Sequence, residues 1–396
     1  MKLGFYYHVP ALQKPDGIYT PGFQGRFIDS LAARCESVTC FLHSPWVNET
    51  EMMDYRLGSG NVTLVDIGPH GSVPRRLLHS GHTRRQVAKH TLSLDVMLIR
   101  GPSALLPVVA RGARAPVALL LVNDYLTGLK NLNQPWWRGN LIRAWAMLNY
   151  QQQMRVSRRS LNIVNNRALY QQLSGKVPWL IETRTTTLTN ADFYRREDTC
   201  QRQPLRLLFS GRITREKGVL DVIEALARVV SAGADVVLDL VGIVEEKENI
   251  LQAISELAAR RGLSERVQYH GYRAVGADLF SFYQQADLFV LASQSAFEGF
   301  PRTVWEAMAH SLPVIATRVG SIPELAQDAA LLVEPGDAAE LARAIMGLIS
   351  SPRQRQALIK KGMELVKNNT LETQVSKMVQ DIQDWLRDPR LAPARG

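Results

Sequence analysis

Cysteine is scarce in this chain: three in 396 residues, Cys35, Cys40 and Cys200, with neither a CxxC pair nor metal-ligand spacing among them. An odd, sparse count argues against a disulfide scaffold or a zinc site and points to reduced thiols in a cytoplasmic compartment. Long apolar runs are lacking too. The longest aliphatic run near the middle, 117–122, has six residues, whereas a bilayer-spanning helix needs about twenty, so no transmembrane helix is expected. Residues 1–7 pass straight into His8-Val9-Pro10 without an apolar core and cleavage site, and no secretory leader is expected. There is no Walker A order, no convincing Gly-x-Gly-x-x-Gly after a strand with its acidic partner, and no Asp-x-Asp pair in a context suited to a metal. These gaps count against a P-loop enzyme, a dinucleotide-dependent oxidoreductase and a metal-dependent site.

The composition that remains is globular, 46% hydrophobic and 21% charged, on a chain suited to two domains of roughly 200 residues. Charge is placed unevenly. Residues 1–195 hold 23 Lys and Arg against 11 Asp and Glu, a balance of +12, and the rest hold 24 against 26, a balance of −2, so the whole excess of +10 lies in the first half. Such a half suits an anionic partner: a phospholipid surface, nucleic acid or a phosphorylated acceptor.

Short apolar runs at 2–9, 38–43, 62–67, 95–100 and 117–122 alternate with helical or loop segments, the pattern of a parallel α/β sheet. Such sheets bind ligands beyond the carboxyl ends of their strands. Gly22 and Gly25, between the first strand and a helix at 27–33, are therefore candidates to line a site, with Arg100 and Asn123-Asp124 at later strand ends. Local hydrogen bonding is the plainer account of the last three. At 136–148, Trp137, Leu141, Ala144, Trp145 and Leu148 share one helical stripe, which either packs on its own domain or meets a membrane interface. Arginines recur at 75, 76, 84 and 85. A polar stretch, 195–204, reads as a linker. A second series follows, with strands at 205–210, 236–241, 267–270 and 288–291, helices at 219–230 and 248–260, and closing helices at 338–349 and 373–385.

Two stretches carry chemistry. After the first strand of the second series comes Gly211-Arg212-Ile213-Thr214-Arg215-Glu216-Lys217-Gly218, glycines bracketing separated cations at a strand-to-helix turn, a place suited to a diphosphate. Further on, Glu298-Gly299-Phe300-Pro301-Arg302-Thr303-Val304-Trp305-Glu306 sets two carboxylates eight positions apart at a helix start. Amides from Gly299 to Val304 could cradle a phosphate while the glutamates take hydroxyls. The bland alternative is a capping box, Thr303 and Glu306 closing on their own helix.

The second stretch resembles the Glu-x7-Glu motif of the retaining nucleotide-sugar glycosyltransferases of glycosyltransferase family four, and the first resembles that family's Gly-Arg…Lys-Gly motif. His270-Gly271-Tyr272 and Gly320-Ser321-Ile322-Pro323-Glu324 extend the likeness over residues 206–335. The resemblance implies a GT-B architecture, two Rossmann-like α/β domains facing a cleft: residues 1–195 for the acceptor, 205–372 for the nucleotide sugar, and 373–396 a helix crossing back to the first. It implies that Arg212 and Lys217 hold the donor diphosphate, that Glu298 contacts the sugar and Glu306 the ribose, and that Gly211, Gly271, Tyr272, Gly299, Phe300, Pro301, Arg302, Thr303 and Val304 line the donor. Ser311 and Ser321 replace usual glycines, Gly242-Ile243-Val244 lacks the common Gly-x-Gly, and Asn123 stands where many members have histidine.

The function so implied is retaining transfer of a sugar from a UDP- or GDP-sugar, with no cofactor or divalent metal, to an acceptor hydroxyl. A lipid-linked glycan of cell-surface polysaccharide or lipopolysaccharide synthesis is the expected acceptor, met by a cytoplasmic or peripheral membrane enzyme. A soluble small-molecule acceptor is one alternative. A non-catalytic nucleic-acid-binding protein is another; it would explain the basic half but neither motif, and nucleic acid is not the expected partner.

Overall fold

The computed structural model describes residues 1–122, 126, 135–165, 167–184, 186–244, 249–295, 301–326 and 328–388. The chain divides into two compact units, residues 1–187 with 371–396, and residues 188–370.

In the first unit the strands are β1 (Lys2–Pro10), β2 (Leu12–Lys14), β3 (Gly17–Thr20), β4 (Ser37–Ser44), β5 (Tyr55–Arg56), β6 (Val62–Pro69), β7 (Val96–Gly101), β8 (Val117–Leu121), β9 (Leu161–Val164) and β10 (Trp179–Glu182). Seven form one parallel sheet in the order β10-β9-β8-β7-β1-β4-β6. The order reverses between β1 and β7, as in a doubly wound sheet. Alternating side chains feed two cores: Leu3, Phe5, Val38 and Cys40 on one face, Tyr6, Phe41 and Ile99 on the other, the period of two that a sheet buried on both sides requires. Helix Leu371–Leu386 belongs to this unit and packs Val375, Met378, Ile382 and Trp385 into the first core, against helix Gly22–Ala32. The antiparallel β2-β3-β5 sheet and strands β9 and β10 have no counterpart in the sequence reading. They are short, and three of the five lie in the small sheet.

Helix Trp136–Ser157 reverses the expectation of a core-facing stripe. It buries Gly139, Ala146, Asn149, Gln153 and Ser157, small or polar residues, and leaves Trp137, Leu141 and Leu148 exposed. The helix lies against helix Leu106–Gly112, and a polar anchor on its inner face helps explain this: Asn149 Nδ2 donates to the carbonyl of Ala104 at 2.9 Å.

The second unit holds β11 (Leu205–Ser210), β12 (Val236–Val241), β13 (Val267–Tyr269), β14 (Leu288–Leu291), β15 (Val314–Thr317) and β16 (Leu331–Val333). They form one parallel sheet ordered β13-β12-β11-β14-β15-β16, whose order reverses between β11 and β14. The 195–204 stretch is pinned to this unit rather than left as a free tether. Arg196 donates to the carbonyls of Tyr283, Gln284 and Ala286, Cys200 N donates to Asp287, and Arg355 grips Asp198 through two bonds of 2.7 and 2.8 Å.

Candidate active site

The reversal point of the second sheet gathers the loops that follow β11, β12, β13, β14 and β15. Backbone bonds weave them together: Gly211 N to Val241 O at 3.0 Å, Ile213 N to Ile243 O at 2.9 Å, Gly242 N to Gly271 O at 2.9 Å, and Gln294 N to Glu216 O at 2.8 Å. Thr317 Oγ1 adds a bond to the carbonyl of Ser293 at 2.5 Å. Two glycines permit the approach. Gly218, at φ +72, caps helix Val219–Ser231, and a Cβ there would stand 1.9 Å from the carbonyl oxygen of Ala292; a Cβ on Gly242, at φ +146, would stand 1.7 Å from that of Gly211. No side chain fits either place without parting the loops.

On this ledge the 211–218 turn presents Arg212 exposed and Lys217 half-buried, with Lys217 N bonded to Thr214 O at 3.2 Å. Gly211 faces the methyl of Thr303, so the cationic turn meets the first turn of helix Arg302–Ala309. Pro301 is the N-cap of that helix and its side chain makes no cap bond; the first turn carries the positive end of the helix dipole. Glu298, Gly299 and Phe300 lie outside the described residues, as do Asn123 and Asp124.

Glu306 corrects the capping-box alternative. It is 3% exposed and its Oε2 accepts a bond of 2.9 Å from the hydroxyl of Tyr283. Burial, and then the charge of Glu306, push the Tyr283 phenol well above its ordinary pKa, so it stays a donor. Tyr283 is itself sandwiched, its ring 5.9 Å from Phe289 and 5.4 Å from His310. His310 bonds through Nδ1 to the carbonyl of Glu306 at 2.7 Å, and burial lowers its pKa.

A second brace holds the β13 loop. Asp239, buried on β12, accepts bonds of 2.9 and 2.7 Å from Arg206 and one of 2.7 Å from His270 Nε2. His270 packs on Phe282 and leads into Gly271, at φ +74, and the exposed Tyr272. Ser311 adopts φ +54, which explains why glycine is usual there; its hydroxyl donates to the carbonyl of Tyr194 at 2.9 Å. Tyr283 and Asp239 escaped the sequence reading because only the sheet brings them to Glu306 and His270.

In the first unit, Gly22 N donates to Asp54 Oδ1 at 2.7 Å, and a Cβ on Gly25 would collide with the Tyr55 ring at 2.2 Å, which accounts for Gly25 by packing. Arg100, the next-to-last residue of β7, lies 4.7 Å over the Tyr7 ring and 5.6 Å over Phe27. Beside it the strand ends hold histidines that the sequence reading passed over. His43 Nδ1 bonds to the carbonyl of Gly68 at 3.0 Å and His70 Nδ1 to Glu49 at 2.6 Å. Burial, then Arg76, His70, His43 and Arg100, push His8 down to about 3; burial also takes His43 to about 4. Both imidazoles are neutral at physiological pH. Among the described residues no helix is long and apolar enough to cross a membrane, and no group of three or more His, Cys, Asp and Glu could hold a metal.

Residues 191–365 match the family model described as glycosyl transferases group 1. A lipopolysaccharide core biosynthesis glycosyltransferase, LpsE, of Rhizobium meliloti is 32% identical over 156 residues, 39% of this chain and 42% of that protein. An N-acetyl-alpha-D-glucosaminyl L-malate synthase of Bacillus anthracis is 30% identical over 187 residues, 46% of each chain. The matched stretches thus span less than half the length of these curated relatives. Among solved structures, Anabaena HepE in complex with UDP superposes with a TM-score of 0.70 at 18% identity, covering 97% of this chain and all of that one, and WaaG, a glycosyltransferase involved in lipopolysaccharide biosynthesis, gives 0.69 at 15%, covering 96% and 98%. The fold is that of these GT-B glycosyltransferases, with two Rossmann-like units.

Proposed function

We propose that this chain, whose residues 191–365 are of the group 1 glycosyl transferase family, transfers a sugar from a nucleoside-diphosphate donor to an acceptor hydroxyl with retention at the anomeric carbon. One observation carries the reading: the cationic 211–218 turn and the first turn of helix Arg302–Ala309 meet at the reversal point of the second sheet, beside a buried, tyrosine-held Glu306. As the bond from the anomeric carbon to the diphosphate breaks, charge grows on the leaving phosphate, and Arg212, Lys217 and the amides of the helix start oppose it. The acceptor oxygen attacks the face the diphosphate leaves, and its proton passes to the departing phosphate oxygen. Glu306 takes the ribose hydroxyls and Glu298 orients the sugar. Two cations meeting the diphosphate are consistent with a reaction that needs no divalent metal. That HepE is described with UDP and with UDP-glucose favours a UDP-sugar. The basic excess of residues 1–195 and relatives named for lipopolysaccharide core and amylovoran biosynthesis favour a lipid-linked glycan acceptor at the inner face of the cytoplasmic membrane.

A thermal-shift screen of nucleotide sugars tests this, followed by mass spectrometry of products with lipid-linked acceptors and NMR of the new linkage. One nucleotide sugar should raise the melting temperature where NADH and DNA do not, turnover should survive EDTA, and Arg212→Ala or Lys217→Ala should lower it by roughly a hundredfold or more. Inversion, loss of activity in chelator with rescue by manganese, or near-normal turnover in both variants would overturn the corresponding part.

A further inference from the structure

Among the described residues, the exposed side of helix Trp136–Ser157 has no partner that would explain its composition. Trp136 is 79% exposed, Trp137 55%, Leu141 65% and Leu148 59%, with Met147 also in solvent. Turning about 100° per residue, Trp137, Leu141, Ala144 and Leu148 fall on one line, opposite the buried Gly139, Ala146, Asn149, Gln153 and Ser157. Exposed Arg138 and Arg143 flank that line on its two sides, roughly a quarter to a third of a turn away. Arg155 continues the line itself beyond the apolar part, and exposed Arg158 and Arg159 follow directly after the helix ends. From 136 to 159 there is no acidic residue.

From this we infer that the outer face of helix Trp136–Ser157 is a docking surface for a bilayer of anionic phospholipid. The apolar strip, from Trp136 to Leu148, is about 18 Å long at 1.5 Å per residue, long enough to lie in the headgroup boundary and too short to cross the hydrocarbon. Indole rings suit that boundary because they are amphipathic, apolar bodies with one N–H donor, and the flanking guanidinium groups meet lipid phosphates. Charge excludes the obvious rival. A second copy of this chain presenting the same face would set arginine against arginine with no carboxylate on the helix to relieve it. A nucleic acid would use the arginines, but it gives Leu141, Met147 and Leu148 nothing apolar to enter.

The inference goes beyond the transfer reaction and its test needs no donor, so its failure leaves the reading of the second unit where it was. The full chain is sedimented with vesicles of phosphatidylcholine alone and of equal parts phosphatidylcholine and phosphatidylglycerol, at low and high salt, while gel filtration follows self-association and fluorescence anisotropy follows a single-stranded oligonucleotide. Binding should require the anionic lipid and weaken with salt. Trp136→Ser with Trp137→Ser should lower the partition coefficient roughly tenfold or more. Arg138→Gln and Arg143→Gln should each lower it about fivefold. These side chains are in solvent, so the variants should melt as the parent does; brominated lipid should quench parent tryptophan fluorescence and quench the double serine variant less. A parent that stays in the supernatant with anionic vesicles at low salt, variants that sediment as well as the parent, or a dimer or oligonucleotide complex without vesicle binding overturns the inference.

Discussion

Glu306 lies in the first turns of a helix where spacing allowed a harmless cap, and the fold buries it instead. A buried carboxylate needs hydrogen-bond donors, or its desolvation is not offset. Tyr283 is one such donor, from a helix more than twenty residues earlier. Tyr283→Phe keeps the aromatic stack with Phe289 and His310 but removes that bond. Stability should fall by about 1–3 kcal/mol, and the freed carboxylate should hold the donor ribose less well, so KM for the nucleotide sugar should rise several-fold with a smaller change in kcat. A lowered melting point with unchanged donor KM would make Tyr283 a prop for the core and nothing more. This residue shows where sequence reading stops. Glu306, Arg212, Lys217 and His270 are marked by local spacing, whereas the residues that hold Glu306 and His270, namely Tyr283 and the Arg206–Asp239 pair, are brought to them by strand order and carry no local mark.

At the scale of elements, the loops after β11, β12 and β14 touch because Gly218 and Gly242 have no side chains. Gly175 offers a control, since it has φ +73, nearly that of Gly218, but a Cβ placed on it would meet nothing within 4 Å. Gly175→Ala should cost only backbone strain, about 1–2 kcal/mol. Gly218→Ala adds a collision with the carbonyl of Ala292 and should cost several kcal/mol more, lowering the melting temperature by about 2–4 °C for each and weakening nucleotide binding as the ledge opens. Equal losses in the two variants, measured by calorimetry, would mean that the close approach is not what requires glycine at 218. Most strands and helices of the main sheets were legible from apolar runs and periodicity. The outer stripe of helix Trp136–Ser157 was legible as a stripe but not by direction, because the face that packs inward is made of small and polar residues, with Asn149 held by a hydrogen bond to the carbonyl of Ala104, rather than of hydrophobic ones.

For the whole molecule, the two units have separate cores, and the last helix belongs to the first of them although the chain reaches it through the second. Ile382 is fully buried among β-strand side chains of the first unit, Trp385 meets Trp179 edge-on with centroids 6.1 Å apart, and Gln374 accepts a bond of 2.9 Å from Arg184 N. Removing a buried isoleucine side chain to alanine costs about 2–5 kcal/mol, and that cost should fall on the unit whose core it fills. A nucleotide sugar held by the second unit stabilises what it binds, by about 2.7 kcal/mol at a hundred times its Kd. Calorimetry of Ile382→Ala with and without nucleotide sugar therefore separates the units. The variant should lower a transition that the nucleotide leaves in place, while the nucleotide-shifted transition keeps its parent temperature. If the variant and the nucleotide move one and the same transition, the two cores melt as a single cooperative block, and the return of the last helix ties them together thermodynamically as well as through the chain.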